Sequence, residues 1–187
     1  GDITSSEFPG YPLPGISYSS EGFSGGIEAG YNFQSNNIVY GVAVDASTAS
    51  IDGQLADSID TGPGSNFTVS STTNWIASAR ARVGLATGKA LFYVTGGVVE
   101  ANLDVKLTDV YQNGLTVFTP SISETRSGIV TSAGAEMMLD QNWSVKAEYL
   151  HYDFGTQTEN FVEVDRTFST DGTYTGNQVR VGLNYRF

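Results

Sequence analysis

The sequence predicts an all-β, up-and-down antiparallel barrel that crosses a membrane, and three observations carry that prediction. The final stretch, residues 177–187, alternates Val179, Val181, Leu183, Tyr185 and Phe187 with Gln178, Arg180, Gly182, Asn184 and Arg186. A period of two gives a strand one apolar and one polar face. Six further segments alternate in a comparable way. Their connections are alternately short and long, as in a meander whose two ends face different compartments.

Residues 1–24 hold Pro9, Pro12 and Pro14 without clean alternation and are expected to form an outer loop. Residues 25–34 set Ile27, Ala29, Tyr31 and Phe33 against Glu28 and Asn32; residues 38–45 set Ile38, Tyr40, Val42 and Val44 against Asp45. The polar Ser35-Asn36-Asn37 between them makes a hairpin. In residues 75–86, Trp75, Ala77, Ala79, Ala81, Val83 and Leu85 oppose Ser78, Arg80 and Arg82. A short turn at 87–89 leads to residues 90–103, an apolar run read with Tyr93, Thr95, Val99 and Ala101 outward and Glu100 inward. Residues 127–139 and 143–154 follow, joined by Asp140-Gln141-Asn142, with Glu136, Lys146, Glu148 and Leu150 on the inward face. Residues 178–187 complete seven spanning strands. The connections 46–74, 104–126 and 155–176 are expected as long outer loops, the middle one a tall hairpin with Asn113-Gly114 at its tip.

Composition agrees. A chain of 187 residues suits one domain, here residues 1–187, and 22 glycines with 10 tyrosines and 10 phenylalanines suit many strands and turns. The most apolar run, 90–99, is interrupted by Thr95 and two glycines, so nothing approaches the roughly 20 apolar residues of a membrane helix. Mean hydropathy is −0.14, which fits strands whose alternate residues alone meet lipid. Without cysteine the chain has no disulfides, thiolate metal sites or thiol chemistry. A net charge of −11 argues against nucleic acid as a partner.

The inward faces collect Glu28, Asp45, Arg80, Arg82, Glu136, Lys146, Glu148 and Arg180. A soluble ligand-carrying barrel would bury these groups in an oily calyx at large desolvation cost, whereas opposite charges facing one another across a polar interior can pair. The single histidine, His151, with Asp153 on its face, would be the one axial ligand for haem or the one imidazole base. Its neighbours Tyr149, Tyr152 and Phe154 instead suggest an aromatic belt at a membrane interface. A lone histidine with scattered carboxylates is a poor zinc set, and the loop aspartates lack calcium-loop spacing. Neither enzyme activity, a metal nor a cofactor is expected.

The stretches G-G-I-E-A-G-Y-N-F-Q, V-Y-G-V-A-V-D-A, W-I-A-S-A-R-A-R-V-G, F-Y-V-T-G-G-V, S-A-G-A-E, N-W-S-V-K-A-E-Y-L and V-R-V-G-L-N-Y-R-F resemble the small outer-membrane porin-like family of alphaproteobacteria, akin to the membrane domain of OmpA. The resemblance covers the strands from residue 25 to 187 and skips the long loops. It implies an eight-stranded barrel in the bacterial outer membrane, partnered by the lipid bilayer, with Phe187 as the terminal signal read by the barrel-assembly machinery. Such proteins serve as structural surface proteins, antigens, adhesins, small pores or haem binders, so the family leaves the activity open. The reading adopted is a structural protein with acidic surface loops and a charged interior filled by side chains, since an eight-stranded interior is about wide enough for that. The alternatives are a narrow porin and a surface module binding haem or a host ligand. Seven strands are odd where single-chain bacterial barrels are even. A first strand upstream of Gly1 is therefore expected, its rival being an irregular strand within residues 3–18.

Overall fold

A computed structural model describes residues 5–6, 21–57, 65–111, 116–118, 121–163 and 166–187. The strands are β1 (Ser5–Ser6), β2 (Glu21–Ser35), β3 (Ile38–Asp57), β4 (Ser65–Thr87), β5 (Ala90–Tyr111), β6 (Thr116–Phe118), β7 (Ser121–Met138), β8 (Trp143–Glu163) and β9 (Arg166–Tyr185). They form one antiparallel sheet in the order β1-β9-β8-β7-β5-β4-β3-β2, with β6 on β5. Seven long strands thus follow one another as a meander. Tight turns close one end: Asn36 takes φ 57° and Gly88 φ 61°, conformations that asparagine and glycine adopt readily.

Alternation sets the two faces. Along β4 the outward residues run from Trp75 through Ala77, Ala79, Ala81 and Val83 to Leu85, while Ile76, Ser78, Arg80 and Arg82 are buried. The ten steps from Trp75 to Leu85 cover about 33 Å of strand, and a tilt of about 40° reduces this to the roughly 25 Å height of an outer-membrane apolar band. Aromatic rings gather at the tight-turn end of that band: Tyr31, Phe33 and Tyr40 in contact at 4.8 and 5.6 Å, and Trp143, Tyr185 and Phe187 at 5.0 Å between successive rings. Phe23 and Trp75, ten residues along their strands from Phe33 and Leu85, mark the other end.

Four expectations are corrected. Residues 90–103 face the opposite way: Tyr93, Thr95, Val99 and Ala101 are buried inside, and Val98 and Glu100 point out. The reason is register, because directly opposed residues share a face and the two-residue turn at 88–89 sets Arg82 against Thr95 and Gly84 against Tyr93. The connections 46–74 and 155–176 are hairpins more than loops, their ladders continuing to Asp57–Phe67 and Glu163–Arg166, whereas 104–126 is the hairpin expected, its ladder reaching Lys106–Ser121. The tip at Asn113-Gly114 lies outside the described residues. Strand β2 begins at Glu21, within the expected outer loop, and Ser5–Ser6 lies antiparallel to the far end of β9, opposite Gly172 and Asp171. The rest of residues 1–20 lies outside the described residues. Finally, the interior is not polar throughout, since an apolar layer occupies its upper part.

Among the described residues no ladder joins β2 to β9. Their inward side chains nevertheless meet across the seam, where Gln178 Nε2 donates to Ser24 Oγ and Arg180 approaches Glu28 and Asp45.

Candidate functional site: the barrel interior

The eight ionisable residues singled out from the sequence come together in one cluster. Arg80, on β4, is its centre: Nη2 bonds Glu28 Oε2 of β2 and Asp45 Oδ1 of β3, and Nη1 bonds Glu148 Oε1 of β8, all at 2.8 Å, with the Arg80 side chain 1% exposed. Glu28 is the second hub. Its Oε1 accepts from Lys146 Nζ at 2.6 Å and lies 3.9 Å from Arg82, and its Oε2 lies 4.0 Å from Arg180. Arg180 also reaches Asp45 at 3.4 Å, and Arg82 reaches Glu136 at 3.3 Å. Four carboxylates thus face four cations drawn from six strands.

Neutral groups complete the cluster, most of them already on the inward faces read from the sequence, with Thr95 and Tyr93 the two that the reading placed outward. Ser78 Oγ donates to Asp45 at 2.6 Å, and Ser132 Oγ donates to Glu148 at 2.6 Å while sharing a 2.6 Å hydrogen bond with Thr95. Ser144 Oγ and Asn184 Nδ2 donate to Glu136. The ring of Tyr93 lies under the Arg82 guanidinium at 4.0 Å and over Gly134, where a Cβ would stand 2.7 Å from Tyr93 Cζ. That glycine is required by the ring. The signal for Tyr93 and Thr95 was present in the two-residue turn at 88–89, which fixes their pairing with β4.

Toward the long hairpins the inward residues turn apolar. Ile76, Val99, Ala101, Val130, Leu150 and Tyr152 form a buried cluster with Phe154 packed against it, and Val99, Val130 and Leu150 are almost wholly enclosed. The charged layer and this apolar layer lie one above the other in the same bore. His151 takes no part in either. It is exposed on the outer surface, with Nδ1 2.8 Å from Asn177 Oδ1, which also accepts from Tyr149 Oη at 2.9 Å.

Residues 2–187 match the model of the outer membrane protein beta-barrel domain. The chain belongs to that family of outer-membrane β-barrels. It is 32% identical over 174 residues to the 31 kDa outer-membrane immunogenic protein of Brucella melitensis biotype 1, covering 92% of this chain and 69% of the relative. The 22 kDa outer membrane protein of Rhizobium leguminosarum bv. viciae is 30% identical over 89% of this chain and 67% of its own. The crystal structure of Neisserial surface protein A aligns at TM-score 0.45 and 18% identity, over 100% of this chain and 92% of that one. The assignment rests on the family match and the first two relatives. The barrel therefore lies in the bacterial outer membrane; barrels of this type have short periplasmic turns and longer connections outside. Phe187, two residues beyond β9, is fully exposed beside Tyr185 in the aromatic girdle at the tight-turn end.

Proposed function

We propose that this outer-membrane β-barrel is a structural surface protein: the lipid belt anchors acidic hairpins outside the cell, and the bore conducts no ions. The observation that carries the reading is the double closure of the interior. An ion entering from outside would have to displace Val99, Val130 and Leu150, which are almost wholly enclosed. Below them it would have to break a neutral set of ion pairs around Arg80. Side chains fill an interior of this size where wider barrels leave a channel. The acidic character of the hairpins comes from the sequence, which places Asp52, Asp57 and Asp60 in the first and Glu159, Glu163, Asp165 and Asp171 against Arg166 in the last. Planar-bilayer recording of the refolded protein tests the reading. A silent bilayer is expected, and stable single-channel steps would overturn it. A haem-binding role has less support, because His151 is held on the outer surface by Asn177.

A further inference from the structure

Two polar atoms of the charged layer are left unbonded, and both lie on one row of the sheet. Register sets Gly84, Tyr93, Gly134, Glu148 and Arg180 side by side across β4, β5, β7, β8 and β9, all on the inward face. Gly134 has no side chain, and the Tyr93 ring lies across it toward β8: a Cβ on Gly134 would stand 2.7 Å from Tyr93 Oη and 2.8 Å from the Ala147 carbonyl oxygen. The phenolic hydroxyl is thereby delivered beside Glu148, since directly opposed residues keep their Cβ positions about 5 Å apart. Tyr93 Oη and Glu148 Oε2 are both buried without a hydrogen-bond partner among the described residues, on side chains of residues only 4% and 2% exposed. Leaving such groups unbonded is costly, and native interiors supply them with a partner or an ordered water.

Charge selects the partner. A carboxylate oxygen needs a donor, whereas a phenol can donate or accept. An anion would face Glu148. A cation would face Arg80, which holds Glu148 Oε1 at 2.8 Å, and Arg82, whose guanidinium carbon is 4.0 Å from the Tyr93 ring centroid. The four carboxylates and four cations of the cluster already balance, so one more ion would be a buried charge without compensation. What fits is a small neutral molecule that both donates and accepts.

We propose that the bore binds a structural water between Tyr93 and Glu148, accepting from Tyr93 Oη and donating to Glu148 Oε2. Two polar partners are enough to hold a buried water, and Arg82 Nε, on the guanidinium over the same ring, is a further unbonded donor in this layer. Glu148 Oε1 already ends a chain of hydroxyls, because Ser132 donates to it at 2.6 Å and shares a 2.6 Å hydrogen bond with Thr95. The water carries that chain on to Tyr93. Fixed in one place, it leaves the ion pairs around Arg80 as they stand, and the site does not depend on whether the bore conducts.

The refolded full chain tests this in two ways. In crystals that order their solvent, a water should lie within about 2.6–3.2 Å of both Tyr93 Oη and Glu148 Oε2. Tyr93→Phe keeps the ring over Gly134 and beneath Arg82 but removes the hydroxyl. Its folding equilibrium constant, from urea titration in vesicles, should fall about three- to tenfold, the worth of one hydrogen-bonded hydroxyl. A variant as stable as the natural chain, or more stable, would show that the hydroxyl is unbonded and would overturn the proposal. So would Tyr93 Oη bonded straight to Glu148, or an anomalous peak at this point in crystals grown with bromide, the mark of an anion. Should Tyr93→Phe not fold, the crystals of the natural chain decide the matter.

Discussion

The lower and upper parts of the bore are filled by opposite means, though the same strands supply both. Around Arg80 the filling is ionic: one guanidinium touches three carboxylates, and each partner comes from a different strand. Around Leu150 it is apolar, with Ile76, Val99, Val130 and Tyr152 packed together. An ionic layer withdraws each charge from water at a cost of about several kcal/mol and recovers it only through its partners. Recovery is incomplete here, since Arg80 Nε, Arg82 Nε and Glu148 Oε2 are buried without a hydrogen-bond partner among the described residues. An apolar layer has no such dependence. Removing one of its members costs the transfer energy and the cavity it leaves, and no group is stranded. The lower layer is therefore brittle and specific about register, and the upper layer loses stability gradually as its members are trimmed.

Arg80→Ala should produce the largest effect. It strands Glu28, Asp45 and Glu148 in the interior, and removing one partner of a buried ionic set costs about 3–5 kcal/mol. The urea midpoint for refolding into vesicles should fall accordingly. A loss smaller than that of Leu150→Ala would break the contrast, because it would mean that the lower layer is wet enough to relax. Leu150→Ala should itself cost about 2–5 kcal/mol, most of it from the cavity. Its second effect is on the seal: brief conductance flickers absent from the natural chain should accompany it in bilayer recordings. On the outer surface Ala79→Arg should cost about 2–4 kcal/mol, the penalty of an arginine near the bilayer midplane of a barrel. Its neighbour Ser78 is no polar-lumen control, since its hydroxyl is buried and bonded to Asp45. Exposed Thr125, above the belt, is the better site for that comparison. Equal losses for Ala79→Arg and Thr125→Arg would contradict the placement of the belt.

Much of the fold was legible because an outer-membrane strand advertises itself twice, once through lipid-facing aliphatic residues and once through inward polar ones. Where both signals are present, as at Ala79/Arg80 or Val181/Arg180, the faces follow from alternation alone. They failed together in residues 90–103, where Tyr93 and Val99 inside are as apolar as Phe92 and Val98 outside. Only the pairing Arg82–Thr95 distinguishes the faces there. The charged cluster was readable as a set of residues but not as a geometry. That Glu28 joins Arg80 and Lys146 depends on curvature bringing β2 within reach of β4 and β8, which no local pattern encodes. The first and last hairpins read as loops in the sequence because a ladder in water needs no apolar face, so Ser70, Ser71, Thr72 and Thr73 carry no strand signal of their own. Their partners on β3 and β5 provide it.

The smallest effect lies outside both layers, in the tight turn between β7 and β8, and it sharpens the contrast by showing what a carboxylate does when it is not buried. Asp140 Oδ1 accepts hydrogen bonds from the backbone N–H groups of Trp143 and Asn142, each at 2.8 Å. Those donors favour the charged form and hold the carboxyl below its usual range, Trp143 contributing most and Asn142 next. A carboxylate depressed in the folded state stabilises it above its unfolded pKa, near pH 4, and that contribution is lost as pH falls through the lower folded value. Asp140→Asn keeps an acceptor oxygen but does not titrate. The natural chain should therefore be slightly more stable than the variant at about pH 6, and the difference should shrink steadily as the pH is lowered through about 4. Paired urea titrations at several pH values measure that difference directly. A gap that stayed constant with pH would show that the turn is held by its backbone alone and that Asp140 contributes no charge-dependent hydrogen bond.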